Sequence, residues 1–491
     1  MNSTKKALAS LLTVMLLSTS FAACSSPADS GGGSESKAEK SSSTTESAES
    51  AEEESAEESK EEKDTAGGDG KKIVLEYTTW GSTNEKDVQT KMMKDFSESQ
   101  DEYEIHLTHI PDQYETKLTT MFAAGTEPDF MLLNKQTGLQ WQEDGKLYNL
   151  YDFVYNDPEF DVSSLMDNAI VKSGEERVSG VKSCDETFAI FYNLEAFEDA
   201  GVDRLPTTPD KALTYDEFVD IAKQLTLDGN GKTPNDPDFD ETNVRQFGVY
   251  LPNWEWFTLV FNDDNRPYID ENGDLNLYSD EVMDRLQDYV DLVVKHKVAP
   301  SPTQTKNLPT SAVSLQSRRC AMILDGQWVQ LDLGVADVGY DIGLLPKFVS
   351  NKAVLYGETW AISEKSEHPE GAWEAMKYCL MNPDNVTEIY SSGLWMPQKK
   401  DWYTEEENLN KWATVAPGHS DGFVDVVVNN TLENGINHDF YFMKNTPKIE
   451  ALVTPALDEC FLGNKTVREA FEEIRPDIEK EWKGVYYMPE D

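Results

Sequence analysis

The sequence predicts a mixed α/β protein of two domains, and three observations carry that expectation. The folded part opens on strand and helix patterns that alternate as βαβαβ, which argues a parallel sheet covered by helices. Strand-like and helix-like stretches then continue to the end without an internal repeat. Setting aside the first 70 residues leaves about 420, more than one hydrophobic core normally supports.

The elements can be justified in order. Ile73 to Tyr77 reads as a buried strand, and Val88, Met92 and Phe96 share one face of the helix after it. Tyr103 to His109 alternates as a second strand. Tyr114, Leu118, Met121 and Phe122 mark a second helix, which Gly125 ends, and Phe130 to Leu133 is a third, wholly apolar strand. Ligands of such sheets lie at the carboxyl ends of the strands. Farther on, Tyr268 to Leu277 reads as a hairpin, because Asn272-Gly273 suits a type I′ turn. Glu281 to Val294 is a helix with Val282, Leu286, Tyr289 and Val293 apolar. Pro369 and Asn382-Pro383 frame another, which holds Trp373, Met376 and Leu380.

The N-terminal segment carries different information. Lys5 and Lys6 precede an apolar run from Ala7 to Leu17, too short to span a bilayer, so residues 1–23 read as an export signal. Phe21-Ala22-Ala23-Cys24 resembles the bacterial lipobox, in which the cysteine acquires diacylglycerol and becomes the new N-terminus. The implied product is a palmitate-bearing lipoprotein on the extracytoplasmic face of the cell membrane, its acyl chains providing the anchor. The alternative is a soluble secreted chain cut near Ala23. From residue 24 to 70 the chain is almost entirely Ser, Glu, Ala, Gly, Lys and Thr, with no large apolar side chain to offset its ordering entropy, and reads as a disordered acidic tether.

Net charge is −48, from 91 acidic and 43 basic residues, which makes nucleic acid or an anionic surface a poor partner. Cys184, Cys320, Cys379 and Cys460 form no close pair, so a zinc cluster is excluded by spacing and buried free thiols are expected.

Several short pieces then fall in a fixed order: Trp80-Gly81, Tyr114-x-x-Lys117-Leu118, Ala123 to Asp129, Phe191-Tyr192-Asn193 and Thr214 to Phe218. After them come Cys320 to Trp328, Gly343-Leu344-Leu345-Pro346, Gly357 to Ser363, Gly393-Leu394-Trp395-Met396-Pro397, and Thr466 to Ala470. In this order, from Ile73 to the C-terminal region, the chain resembles the extracellular solute-binding proteins of ABC transporters for oligosaccharides, the group that includes maltose-binding protein. Glu358 stands where many members have a second glycine, and Cys320 where a small residue is common. The resemblance implies an α/β, two-lobed periplasmic-binding-protein-like fold with hinge segments and an interlobe cleft. It places lobe 1 at 71–190 and 341–390 and lobe 2 at 191–340 and 391–491, with crossings near Phe188–Asn193, Tyr340–Leu344 and Ser391. It also implies a monomer that binds a carbohydrate and hands it to the permease subunits of an ABC importer.

A sugar presents apolar C–H faces and a rim of hydroxyls, so its site needs aromatic plates beside hydrogen-bonding groups. Trp80, at the end of the first strand, is one candidate, and Trp328, Trp360 and Trp395 match family segments that carry ligand-facing tryptophans. Trp254 and Trp256 lie two apart, and one of the pair is expected to face the ligand. Asp129, Asp325 and Glu358 are the polar candidates against a background of solvated carboxylates, and Tyr192 is placed at the hinge or cleft. Trp141, Trp373 and Trp412 are assigned to packing. No cofactor is expected, with one exception to test. Asp228, Asn230, Asp236, Asp238 and Asp240 resemble a calcium loop in composition, although glycine and glutamate miss the EF-hand positions. The competing reading of that stretch is an Asx-rich turn.

The rival class is a surface glycoside hydrolase working through two carboxylates. Acidic residues are so abundant that suitable pairs carry no information. The chain has no HExxH and no phosphate loop, so a binding protein rather than an enzyme is expected.

Overall fold

In the computed structural model, strands and helices are described over residues 71–488, apart from 253, 337 and 415–418. The signal segment, Cys24 and the acidic tether lie outside the described residues, and everything described belongs to the unit spanning 67–491. The strands are β1 (Ile73–Thr79), β2 (Tyr103–His109), β3 (Phe130–Leu133), β4 (Ile170–Gly174), β5 (Arg177–Lys182), β6 (Glu186–Asn193) and β7 (Leu227–Asp228). After these come β8 (Val244–Tyr250), β9 (Cys320–Gly326), β10 (Tyr340–Gly343), β11 (Ala353–Tyr356), β12 (Thr359–Ile362) and β13 (Gly435–Asn437). One sheet has the order β2-β1-β3-β12-β5-β4. The other runs β13-β11-β6-β9-β8-β7, with β10 also paired to β6.

The first sheet starts as its sequence pattern predicts. β1 is parallel to β2 from Ile73–Tyr103 to Thr79–His109, and parallel to β3 at Tyr77–Phe130. The helix Thr83–Ser99 begins where the Ser82 hydroxyl accepts the Glu85 N–H, and it buries Gln89, Met92, Met93 and Phe96, one stripe of a 3.6-residue period. Burying a side chain such as Phe96 stabilises the fold by roughly 1.5–3 kcal/mol. The helix Tyr114–Ala124 ends on Gly125, whose φ of 70° is the left-handed cap conformation.

In the second sheet β6 is buried along its whole length, flanked by β9 on one side and by β10 and β11 on the other. The helix Tyr215–Leu225 starts on a Thr214–Glu217 capping box and turns Phe218, Val219, Ala222 and Leu225 inward. The predicted helices around Glu281 and Pro369 form as Asp280–Val294 and Pro369–Met381. The stretch Tyr268 to Leu277 is not a regular hairpin. It closes on a single antiparallel bridge, Ile269–Leu275, because the Asp270 side chain accepts the N–H groups of Asn272 and Asp274 at 2.8 and 2.9 Å.

The chain leaves the first sheet after Lys182, enters the second at Glu186, returns between Tyr356 and Thr359, and crosses again between Ile362 and Gly435. The first two crossing stretches run antiparallel: Thr359 pairs with Lys182, the Ser183 N–H donates to the Glu358 carbonyl at 2.9 Å, and Tyr356 pairs with Glu186. Gly357 has φ of 131°, and a Cβ there would lie 2.1 Å from the Cys184 carbonyl oxygen, so only glycine fits. The segments expected to cross, Phe188–Asn193 and Tyr340–Leu344, instead meet inside the second sheet, with Tyr340 opposite Asn193 and Gly343 opposite Ile190. Both are almost wholly buried and lack the alternation that would have marked them as strands.

Cys184, Cys320, Cys379 and Cys460 are free and buried. No helix among the described residues is long and apolar enough to cross a membrane.

Candidate functional site

Trp80 follows the carboxyl end of β1, and Asn134 and Lys135 follow that of β3, so this edge of the first sheet presents one aromatic plate and one cation. Facing them are Trp254, Trp328 and Tyr356 from the second sheet and its loops. Together with the crossing residues Glu186 and Glu358 they enclose a cavity of about 470 Å³. The walls touch: the Asn84 amide donates to Asp332 at 2.7 Å, and the Lys135 ammonium sits 3.8 Å from the Tyr356 ring centroid.

The aromatic wall is built around buried Phe188 of β6. Its ring lies 5.4 Å from Trp328 and 5.2 Å from Tyr356, both edge-on, and 5.6 Å from Trp254. Trp254 and Trp328 stack at 6.0 Å with 30° between their planes. Trp254 remains 52% exposed, the most open tryptophan face described. Trp328 lies back over the end of β9, where a Cβ at Gly326 would meet its ring at 2.1 Å.

The polar side of the cavity holds five glutamates, Glu85, Glu186, Glu255, Glu358 and Glu450, against one cation, Lys135. Burial pushes Glu85 up to about 8, with Glu358 adding to the shift, and pushes Glu255 up to about 8 against the pull of Lys135. Burial likewise lifts Glu450 to about 7, and raises Glu186 well above the usual carboxylate range with Glu358 as the next cause. Lys135 is brought down to about 8 by burial, opposed by the surrounding glutamates. No carboxylate among the described residues comes within 4.0 Å of its ammonium, which lies over the Tyr356 ring on the lining of the cavity. Buried His438 accepts the Phe440 N–H on Nδ1 at 3.1 Å and places Nε2 3.4 Å from Glu255; burial holds it neutral.

Of the residues expected from sequence, Trp80, Trp254, Trp328, Glu358 and Trp395 line this cavity. The others have different surroundings. Trp360 is 1% exposed, donates its Nε1–H to the Tyr77 hydroxyl at 3.1 Å, and meets Trp395 edge-on at 5.8 Å. Trp256 turns away from Trp254 and packs 4.9 Å from Phe461, because the Glu255 carboxylate accepts the Phe257 N–H and bends the segment. Asp129 accepts the Glu76 N–H at 2.9 Å and the Ser366 hydroxyl at 2.7 Å, tying the first sheet to its neighbouring loop. Tyr192 is buried against Phe197 and donates to Asp341 at 3.3 Å. Asp325 is buried at the end of β9 and accepts the Gly326 N–H at 2.8 Å; burial raises it to about 6. Trp141, Trp373 and Trp412 lie in the interior.

In the Asp-rich loop, Asp228 accepts the N–H groups of Asn230, Lys232 and Asp240 at 2.7, 2.8 and 3.0 Å. Asp236 accepts from the amide and hydroxyl of Thr233, both at 2.9 Å, and Lys232 lies 3.5 Å from Asp238. These are the contacts of an Asx-rich turn that carries its own counter-charge.

Sequence reasoning missed Glu85, Lys135, Glu186, Glu255, Tyr356 and Glu450. For Lys135 a signal existed: it sits just past the end of β3, as Trp80 sits just past β1.

Residues 68–384 match the bacterial extracellular solute-binding protein family, well over half of the chain. The chain belongs to this family. It is 28% identical over 132 residues to an arabinooligosaccharide-binding protein of Halalkalibacterium halodurans, a match covering 27% of this chain and only about a quarter (25%) of that relative's length. In fold it is similar to an ABC substrate-binding protein of Listeria monocytogenes in complex with cycloalternan, with TM-score 0.70 and 19% identity, covering 84% of this chain and 99% of that one. A Thermotoga lettingae solute-binding protein bound to α-D-tagatose gives TM-score 0.68 at 19% identity, covering 83% and 99%. A maltose-bound T. maritima protein gives 0.66 at 17%, covering 83% and 99%. These likenesses establish the two-sheet, two-lobed fold.

Proposed function

We propose that this member of the family captures a carbohydrate, a neutral oligosaccharide, between its two lobes and delivers it to the permease of an ABC importer. The observation that carries the reading is one cavity with stacked indoles on one wall and a lysine facing several glutamates on the other. A sugar ring offers C–H faces to Trp254 and Trp328. A hydroxyl both accepts and donates, so one hydroxyl accepts from Lys135 while donating to a glutamate, which an apolar or a purely anionic solute cannot do. Each lobe contributes part of the site, so a ligand touching both favours closure about the crossing stretches near Cys184 and Gly357. The names of the relatives, which bind arabinooligosaccharide, cycloalternan, tagatose and maltose, support the solute class.

The same reading takes Cys24 as the lipidated residue, the segment from 24 to 70 as the tether, and the protein as a monomer that binds without catalysis. Titrating its intrinsic fluorescence with a panel of neutral mono- and oligosaccharides tests the central claim: a saturable, stoichiometric change with one glycan class supports it, whereas release of reducing sugar would replace it with hydrolysis. Mass measurement of membrane-extracted protein, with Cys24→Ala as control, tests the anchor. Calorimetry with calcium on chelated protein decides between a metal site and the Asx-rich turn at Asp228.

A further inference from the structure

Glu186 and Glu358 occupy an unusual place. One lies on each of the first two crossing stretches, next to the paired backbone that joins the sheets, and both border the cavity. A carboxyl oxygen of each and the Cys184 Sγ lie within 4.8 Å of one another, and the Cys184 thiol donates to Glu358 Oε2 at 3.4 Å. Glu186 is 4% exposed, and its carboxyl faces that of Glu358 within this cluster. Two carboxylates offer only acceptors, so a direct hydrogen bond between them requires a proton.

We propose that Glu186 and Glu358 share one proton across the two crossing stretches, so that the arrangement of the cleft floor, and with it capture, is linked to pH. The pair takes the cleft to be the capture site, but its proton can be tested without any ligand.

The groups around the pair decide whether the proton stays. Burial is the main cost of ionising Glu186, and the neighbouring carboxyls of Glu358 and of Glu85, from the helix Thr83–Ser99, add to it. Lys135, after β3, is the opposing cation. Tyr441 donates its hydroxyl to the Gly357 carbonyl at 2.6 Å and is neutral, as is Tyr77; burial raises both phenols. Lys182, the other nearby cation, is already paired with Asp185 inside the first crossing stretch. Burial and like charge therefore outweigh Lys135, and Glu186 keeps the proton and donates it to Glu358. Above the pH at which Glu186 ionises, two like charges face each other between segments that must stay in register, and the crossing loosens.

The experiment compares the full mature chain with Glu186→Gln and Glu358→Gln. Infrared difference spectra, wild type minus variant at pH 7.5, read the C=O stretch of a protonated carboxyl. Melting temperatures from pH 5 to pH 8.5 read the linkage. The shared proton predicts a protonated-carboxyl band in the wild type that either variant removes. It also predicts that the wild type loses melting temperature relative to Glu186→Gln as pH rises, because that glutamine keeps a donor without needing a proton. A wild type without the band, together with parallel melting profiles, overturns the proposal whatever the solute is. If one glutamine variant fails to fold, the other supplies the same comparison.

Discussion

The two walls of the cleft are made in different ways. The first-sheet wall comes from residues that directly follow β1 and β3, consecutive members of one βαβαβ unit. The second-sheet wall gathers Phe188, Trp254, Trp328 and Tyr356 from four separate stretches around β6, β9 and β11. One wall is local in sequence and chiefly polar, the other non-local and aromatic. The polar wall supplies donors and acceptors that orient a solute, whereas the aromatic wall supplies area.

The sharpest way to break this comparison is through tryptophans that look alike in sequence. Trp360→Ala should cost about 3–5 kcal/mol of stability, read from urea unfolding, because it empties a buried site and removes a donor to the Tyr77 hydroxyl. Its folded fraction should still bind with unit stoichiometry. Trp256→Ala should behave similarly, through the lost packing on Phe461. Trp328→Ala should do the opposite: about a 10–100-fold loss of affinity, with a smaller stability loss than Trp360→Ala. If Trp328→Ala leaves affinity intact while Trp360→Ala abolishes it, the walls have been assigned the wrong way round.

The buried glutamates of the cavity predict a pH dependence. Glu85 and Glu255 sit near 8 and Glu450 near 7 in the folded protein, against 4.5 for an ordinary glutamate. Between these values the folded state binds more protons than the unfolded chain, so stability falls as pH rises from about 5 to about 8. Urea midpoints at pH 5, 6.5 and 8 should decline in that order, and Glu255→Gln should flatten the trend. The smallest effect belongs to Asp129→Asn. It should cost about 0.5–1.5 kcal/mol from two hydrogen bonds and leave binding unchanged, as read by melting and titration.

The same contrast explains what the sequence could reveal. β1, β2 and the helices beside them follow their hydrophobic periods because they are partly buried and the pattern is visible locally, and β3 stands out as a short apolar run after Gly125 and Pro128. β6 and β10 are buried on both faces, and nothing in such a run says whether it pairs within a sheet or links two sheets. The crossing stretches were legible only in hindsight, through the obligatory Gly357. At the site, tryptophans stand out because they are few, so Trp80, Trp254, Trp328 and Trp395 could be picked, but their type does not separate a plate from a core side chain. Trp360 and Trp256 show this. Glu85, Glu186, Glu255 and Glu450 were invisible among 91 acidic residues, because what distinguishes them is burial beside Lys135 and not their spacing.

The most direct test of the account is a fluorescence titration of wild type, Trp328→Ala and Trp360→Ala against the same panel of neutral oligosaccharides. The account predicts saturable binding of one glycan class by wild type, at least tenfold weakened by Trp328→Ala and retained by folded Trp360→Ala. No response of the wild type to any member of the panel would contradict it.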